Sequence, residues 1–232
     1  MNVFAMDTSS LTATVAVLCD DKLMGEYTVS NKLTHSQTIV PMTDELLKNL
    51  NLSLNDIDVF GVCVGPGSFT GLRIGMATIK TFSQALSKKI VGVSSLDAIA
   101  YNFTFNDGYL VAPIIDSRRN EVYNALYENG EKIISDRAMH IDELLEELKD
   151  KKTIFAGDGV LVQKERIEAY GNPLWKVAPN HMVLPRASAV AYCAYNKAKN
   201  NIFDDPYTLN PVYLRKSQAE REMEERINNG GK

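Results

Sequence analysis

The chain has few of the residues that mark metal-binding, disulfide-bonded or nucleic-acid-binding proteins. Its 232 residues include only three cysteines and three histidines, all far apart in sequence. They offer neither a disulfide framework nor the ligand spacing of a metal cluster, so we expect reduced cysteines in or near the core. Lys and Arg number 25 against 29 Asp and Glu, a net charge of −4. The chain therefore lacks the basic surplus with which a protein alone holds a phosphate backbone.

Long hydrophobic runs are also missing. No apolar stretch approaches the roughly 20 residues that a membrane span requires, and no basic segment followed by a long apolar run opens the sequence. We therefore expect a cytoplasmic protein that makes no contact with a membrane.

What is present is an ordinary globular composition, with 45% hydrophobic and 23% charged residues. Alternation and helical periodicity predict three strands, then helix, strand, helix, strand and helix in the first half, and the same succession in the second. We predict an α/β fold of two ribonuclease-H-like, actin-like lobes, each βββαβαβα, over residues 1–106 and 107–215. The charged residues 216–232 are predicted to form a frayed helix or a disordered tail.

A glycine-rich segment, GPGSFTG at residues 65–71, follows a predicted buried strand and opens a predicted helix. Backbone amides at such a junction can hold a phosphate. However, the segment lacks the Lys-Ser/Thr pair of a P-loop and the glycine spacing of a dinucleotide site. We interpret it as a tight packing turn, with anion binding as the alternative.

Acidic residues end the first strand of each predicted lobe. Asp7, followed by Thr8, and Asp116 stand where actin-like kinases place loops around nucleotide phosphates and magnesium. Arg118 and Arg119 follow Asp116 in place of a small glycine-containing turn. Aspartate is also common in turns that bind no ligand. Asp7, Thr8 and Asp116 are therefore candidates for a vestigial phosphate site or simply for turn residues.

The helix predicted over about 69–87 has apolar positions that cover about 200° of arc, more than a one-sided surface helix needs. The helix predicted over 36–50 has a narrower stripe. Either the lobe's own core or a partner protein covers the surplus. Our candidate partner contacts are Ile39, Met42, Leu46, Ile74, Thr78 and Phe82.

Four motifs together resemble the TsaB (YeaZ) family, and the resemblance covers about residues 1–215. They are MDTS at 6–9, GPGSFTGLRIG at 65–75, IDSR at 115–118 with EVY at 121–123, and PVYLR at 211–215. The resemblance implies a non-catalytic subunit for forming threonylcarbamoyladenosine (t6A) beside the tRNA anticodon. It also implies a heterodimer with the paralogous ligase TsaD through the two helices, an ATPase partner TsaE, a homodimer when alone, and tRNA bound only through the complex.

One departure separates this chain from TsaD itself. In TsaD a His-x-x-x-His metal site follows a Gly-Val strand, and the equivalent stretch here is GVSSLDAI at 92–99. Ser95 and Ile99 occupy the ligand positions, and neither offers an imidazole. We therefore predict no catalytic residue, no metal and no cofactor. The alternatives are an actin-fold ATP-dependent kinase or transferase and, more remotely, a protease-like enzyme of the kind for which this superfamily was once named.

Overall fold

Two five-stranded sheets organise the chain in the computed structural model, which describes residues 1–30, 33–105 and 108–215. The strands of the first sheet are β1 (Asn2–Asp7), β2 (Ala13–Cys19), β3 (Lys22–Val29), β4 (Val59–Gly65) and β5 (Lys89–Ser94). Those of the second are β6 (Leu110–Asp116), β7 (Glu121–Glu128), β8 (Glu131–His140), β9 (Thr153–Ala156) and β10 (Trp175–Val177). The α-helices are α1 (His35–Asn49), α2 (Phe69–Leu86), α3 (Ser95–Tyr101), α4 (Ile141–Leu148), α5 (Gly159–Tyr170) and α6 (Ala187–Lys199).

Both sheets have the same topology. Their orders are β3-β2-β1-β4-β5 and β8-β7-β6-β9-β10, with an antiparallel three-stranded meander followed by two strands parallel to the first. This confirms the predicted fold class of two ribonuclease-H-like units in the succession βββαβαβα. The boundary proposed at residues 106–107 and the tail at 216–232 lie outside the described residues.

The first sheet is covered on both faces, and this explains its nearly continuous apolar strands. Along β1, Phe4 and Met6 pack in the cluster that contains α1 and α2, whereas Val3 and Ala5 pack in the cluster that contains α6. Because successive strand side chains point to opposite faces, both sets must be apolar.

The last helix of the second half packs against the first sheet. Helix α6 contacts β1, β2, β4 and β5, and its alanines allow this close approach: a Cβ added to Gly61 of β4 would lie 3.0 Å from the Cβ of Ala194. Helix α3 in turn contributes Leu96 and Ile99 to the core of the second sheet. Each half therefore contributes a helix to the core of the other half. The domain boundary at residue 106 stays a prediction.

A segment that we call the strap, residues 201–215, returns across the first sheet. Its Asp204 amide donates to the Ile90 carbonyl at 2.9 Å, and its Val212 amide donates to the Val64 carbonyl at 2.7 Å. The ring of Tyr213 stacks on Phe69 at the start of α2, with 4.4 Å between centroids. The strap therefore joins the end of the second half to β4, β5 and α2.

Helix length and cysteine exposure can be compared with two expectations from the sequence. Within the described part of the chain, no helix is long and apolar enough to cross a membrane. Cys63 is buried, as expected, but Cys19 is exposed because it ends β2 beside a turn. The near-core prediction is therefore wrong for Cys19.

Candidate functional site

The turn after β1 lies where the sequence places a vestigial phosphate site. Asp7 is 1% exposed, and its Oδ1 accepts a hydrogen bond from the Ser9 amide at 2.7 Å. The Thr8 hydroxyl is buried and donates to the Gly71 carbonyl at 2.8 Å. The Ser68 amide donates to the Ser9 carbonyl, also at 2.7 Å. The polar groups of this turn are therefore engaged by the chain's own helix α2.

The glycines of the GPGSFTGLRIG motif make this contact possible. A Cβ added to Gly71 would lie 1.9 Å from the Thr8 carbonyl oxygen, and one added to Gly75 would lie 2.4 Å from the Thr8 hydroxyl oxygen. Real Cβ atoms do not approach so closely, so both positions require glycine. This geometry supports the packing-turn interpretation, because the start of α2 is occupied by protein backbone.

Asp116 ends β6 in the second sheet. Its charge and that of Asp7 both act on Asp158, which follows β9, and we call the region shared by these three carboxylates the cleft. The Asp116 Oδ1 accepts from the Arg118 amide at 3.3 Å. Arg118, Arg119 and Asn120 all have positive φ angles, between 55° and 67°, in the left-handed region that non-glycine residues rarely occupy. The Arg215 guanidinium of the strap closes the turn by binding the Ser117 carbonyl at 3.2 Å and pairing with Glu121.

Sequence reasoning missed a third carboxylate in the cleft, Asp158. It follows β9 in a Gly-Asp-Gly turn, in which a Cβ on Gly157 would lie 2.4 Å from the Ile114 carbonyl oxygen. The pKa of Asp158 is raised to about 6, chiefly by burial and also by the negative charges of Asp116 and Asp7, whereas hydrogen bonds from the backbone amides of Asp116 and Gly159 act to lower it. Its Oδ1 is buried and has no hydrogen-bond partner among the residues that the structure describes. The only sequence signal was a Gly-Asp-Gly after a short apolar strand, which also describes an ordinary turn.

The cleft therefore collects negative charge. Asp7 and Asp116 both act on Asp158, and this arrangement disfavours a polyphosphate unless a cation lies between them. In residues 1–30, 33–105 and 108–215, no three His, Cys, Asp or Glu side chains converge on a point that could hold a metal ion. Asp7, Thr8 and Asp116 lie at the predicted strand ends, and their role as a phosphate site stays a prediction.

Ser95 and Ile99, the positions that the resemblance equates with the metal ligands of TsaD, lie in the first turns of α3. Ser95 is the first residue of the helix, and its buried hydroxyl lies beside the Cys63 thiol. Ile99, one turn later, packs in the core of the second sheet. This pair offers one hydroxyl and one hydrocarbon side chain where a metal would need two imidazoles.

The six candidate partner contacts divide into two groups. Ile39, Met42 and Leu46 of α1 are buried in the cluster beneath the first sheet, and a Cβ on Gly25 of β3 would lie 2.8 Å from Leu46. We correct these three to core residues, because they leave almost no surface for a partner. Ile74, Thr78 and Phe82 of α2 are partly exposed, and the Thr78 hydroxyl donates to the Ile74 carbonyl at 2.8 Å.

Helix α2 presents three distinct sides. One side, including Leu72, Met76 and Ile79, is buried in the core. A second side binds the strap, through Lys80 to the Leu209 carbonyl and Arg73 to the Tyr213 hydroxyl, both at 3.0 Å. The third side is exposed or partly exposed and carries no charge. We call it the uncharged face; its residues are Ile74, Ala77, Thr78, Thr81 and Ala85.

Comparison with known proteins relates the whole chain to one group. A family model described as "TsaD: tRNA N6-adenosine threonylcarbamoyltransferase" matches residues 24–223. The chain is 34% identical over 226 residues to the Bacillus subtilis protein named "tRNA threonylcarbamoyladenosine biosynthesis protein TsaB", covering 95% of this chain and 96% of that relative.

Solved structures agree on the fold. "YeaZ from Pseudomonas aeruginosa" aligns with a TM-score of 0.78 and 24% identity over 92% of this chain and 99% of that one. The ROK hexokinase from Thermus thermophilus aligns with a TM-score of 0.52 and 10% identity, over 86% of this chain and 100% of the other. At these identities the likeness concerns the actin-like architecture alone.

Proposed function

Because this chain belongs to the TsaB (YeaZ) family, we propose that it serves t6A formation on tRNA as a non-catalytic subunit that docks onto TsaD. The observation that carries the proposal is the uncharged face of α2. The turn after β1 adds to it, because its polar groups are hydrogen-bonded within the chain. The same face is the proposed homodimer contact when TsaD is absent.

The chemistry of the uncharged face fits a helix partner. An exposed helix side normally carries charged residues, but here the five positions of the face are all small or apolar. Small side chains let a second helix approach to about 8–10 Å between axes. The core holds one side of α2 and the strap holds the neighbouring side. The helix that carries the face is therefore fixed in place by contacts on two sides. We propose Ile74 and Thr78 as its centre and Phe82 as its edge.

Two features support a subunit without turnover of its own. The Thr8 hydroxyl, the natural contact for a phosphate after β1, is bonded to Gly71. The metal-ligand positions of the paralogue hold Ser95 and Ile99. In our proposal TsaD performs the transfer, TsaE joins the complex, and tRNA is held mainly by partners because the net charge of −4 releases few counterions.

The deciding experiment is co-purification with TsaD, followed by calorimetry on two variants of α2. Thr78→Arg places a charge on the uncharged face, where docking would desolvate it, and we expect the affinity to fall at least about tenfold. Gln84→Arg, on the strap side of the same helix, is the matched control and should bind as the unmodified chain does. The melting temperature of both variants should be nearly unchanged, because neither position is in the core.

An unaltered affinity of a folded Thr78→Arg chain would show that docking uses another surface. Failure to bind TsaD at all would remove the proposal. Magnesium-dependent ATP hydrolysis by the isolated chain would instead favour the alternative function, an actin-fold kinase or transferase. The hexokinase to which the chain is similar in fold is such an enzyme.

A further inference from the structure

A cavity of about 480 Å³ lies between α3, the β7–β8 hairpin and α6. Its apolar walls include Tyr101 of α3, Phe103 in the connection to the second half, and Tyr127 of β7. Cys193 and Lys197 of α6 line the opposite side. The volume suits a small molecule, and the lining comes from both halves of the chain. The proposed docking function does not use this cavity.

One wall carries an ion network whose members satisfy one another. The Lys132 ammonium lies 2.6 Å from the Asp97 carboxylate and 2.7 Å from that of Asp136. The Tyr127 hydroxyl donates to Asp97 at 2.5 Å. Burial and the Asp97 charge raise the pKa of Tyr127 well above its ordinary value, so the phenol stays a donor. This wall is fixed and leaves no ionic group in need of a ligand.

Lys197 differs from Lys132. Its partly buried ammonium donates to the Gly92 carbonyl at 2.8 Å, and within the described residues it forms no ion pair with a carboxylate. An ammonium has three donors, so two remain. Beside it, burial raises the pKa of the Cys193 thiol to about 12, with the Asp97 charge adding to the effect. The thiol is therefore neutral near pH 7 and acts as a soft apolar wall.

We propose that this cavity binds a small organic monocarboxylate with a flat apolar body. The carboxylate accepts charge-assisted hydrogen bonds from Lys197, and the flat body packs among Tyr101, Phe103 and Tyr127. A dianion such as a phosphate monoester is disfavoured, because Asp97 lies on the same lining and, of its two lysines, only Lys197 has no ionic partner among the described residues. A bound ligand would touch both halves and stabilise their arrangement.

The test uses benzoate as the probe, with benzyl alcohol as its neutral analogue and phenyl phosphate as the dianion. Saturation-transfer NMR on the full chain should show benzoate binding more tightly than either analogue. Lys197→Met keeps the apolar stem and removes the charge, and we expect it to weaken benzoate binding about tenfold or more. Lys199→Met, on the same helix but over the ring of Tyr195, is the matched control and should bind benzoate normally.

A second variant covers the case in which Lys197→Met does not fold. Cys193→Phe fills the cavity from the α6 side and should abolish benzoate binding while the circular dichroism spectrum stays native. The proposal is overturned if none of the probes binds, if benzyl alcohol binds as well as benzoate, or if either cavity variant, when folded, binds benzoate with unchanged affinity.

Discussion

The Thr8 hydroxyl donates a hydrogen bond of 2.8 Å to the carbonyl of Gly71, 63 residues further along the chain. This bond ties the turn after β1 to the first turn of α2. In an actin-fold kinase the same turn would have to leave its donors free for phosphate oxygens. Here the turn and the helix bond to each other, so the turn helps to fix the helix that we propose for docking.

Gly71→Ala should disrupt this contact. The added Cβ would lie 1.9 Å from the Thr8 carbonyl oxygen, so backbone must move. We expect a loss of at least about 3 kcal/mol in the free energy of unfolding, measured by urea denaturation. Gly171→Ala is the control: Gly171 has φ of +65° but no neighbouring atom within 4 Å of the added Cβ, so its cost should be about 1 kcal/mol. Equal costs for the two variants would contradict the close contact.

The fold could be predicted because its signals are local. Buried strands, turn residues and helical periodicity each lie within a few residues, and the succession βββαβαβα leaves few topologies. The packing of α6 against the first sheet could not be predicted in this way, because its alanine-rich sequence does not indicate which surface the helix covers.

The candidate sites were predicted less well, for two physical reasons. Core and partner contacts both require apolar side chains, so periodicity could not separate Leu46, which is buried, from Ile74, which is partly exposed. Asp158 was missed because an aspartate in a glycine turn has an ordinary local explanation. Its unusual pKa arises only from burial and from charges that are distant in sequence.

The correction on α1 predicts different effects at two apolar positions. Leu46 is 1% exposed and Val40 is 49% exposed. Leu46→Ala should lower the free energy of unfolding by about 2–5 kcal/mol, because it leaves a cavity. Val40→Ala should change it by less than about 0.5 kcal/mol. Urea denaturation of both variants measures the difference, and a mild effect of Leu46→Ala would mean that this side chain is not in the core.

Asp158 predicts a pH dependence of stability. Its pKa of about 6 in the folded chain lies above the unfolded value of about 3.9, so the folded state binds more protons between these values. Stability from this group is therefore present below about pH 4 and is lost as the pH rises to about 6. Asp158→Asn should flatten that slope and raise the free energy of unfolding at pH 7 by about 1–2 kcal/mol.

Urea denaturation at several pH values between 4 and 7 measures this effect. Asp150→Asn, at an exposed position in a loop away from the cleft, should leave the slope in place. If Asp158→Asn lowers stability at pH 7, the ionised carboxylate makes a favourable interaction in the cleft, and the prediction is wrong.

Asp7→Asn separates a structural from a catalytic role for the cleft. Asparagine keeps an oxygen that can accept the Ser9 amide, now bonded at 2.7 Å, so the turn should survive. If the chain is a non-catalytic subunit, t6A formation by the assembled complex should stay within a few-fold of normal. Loss of a catalytic carboxylate would instead reduce the rate by orders of magnitude. The same substitution removes a charge that raises the pKa of Asp158, so the stability slope should move to lower pH. That shift in the stability slope would show that the substitution had changed the charge around Asp158. A loss of rate by orders of magnitude, with the complex intact, would give Asp7 a catalytic role.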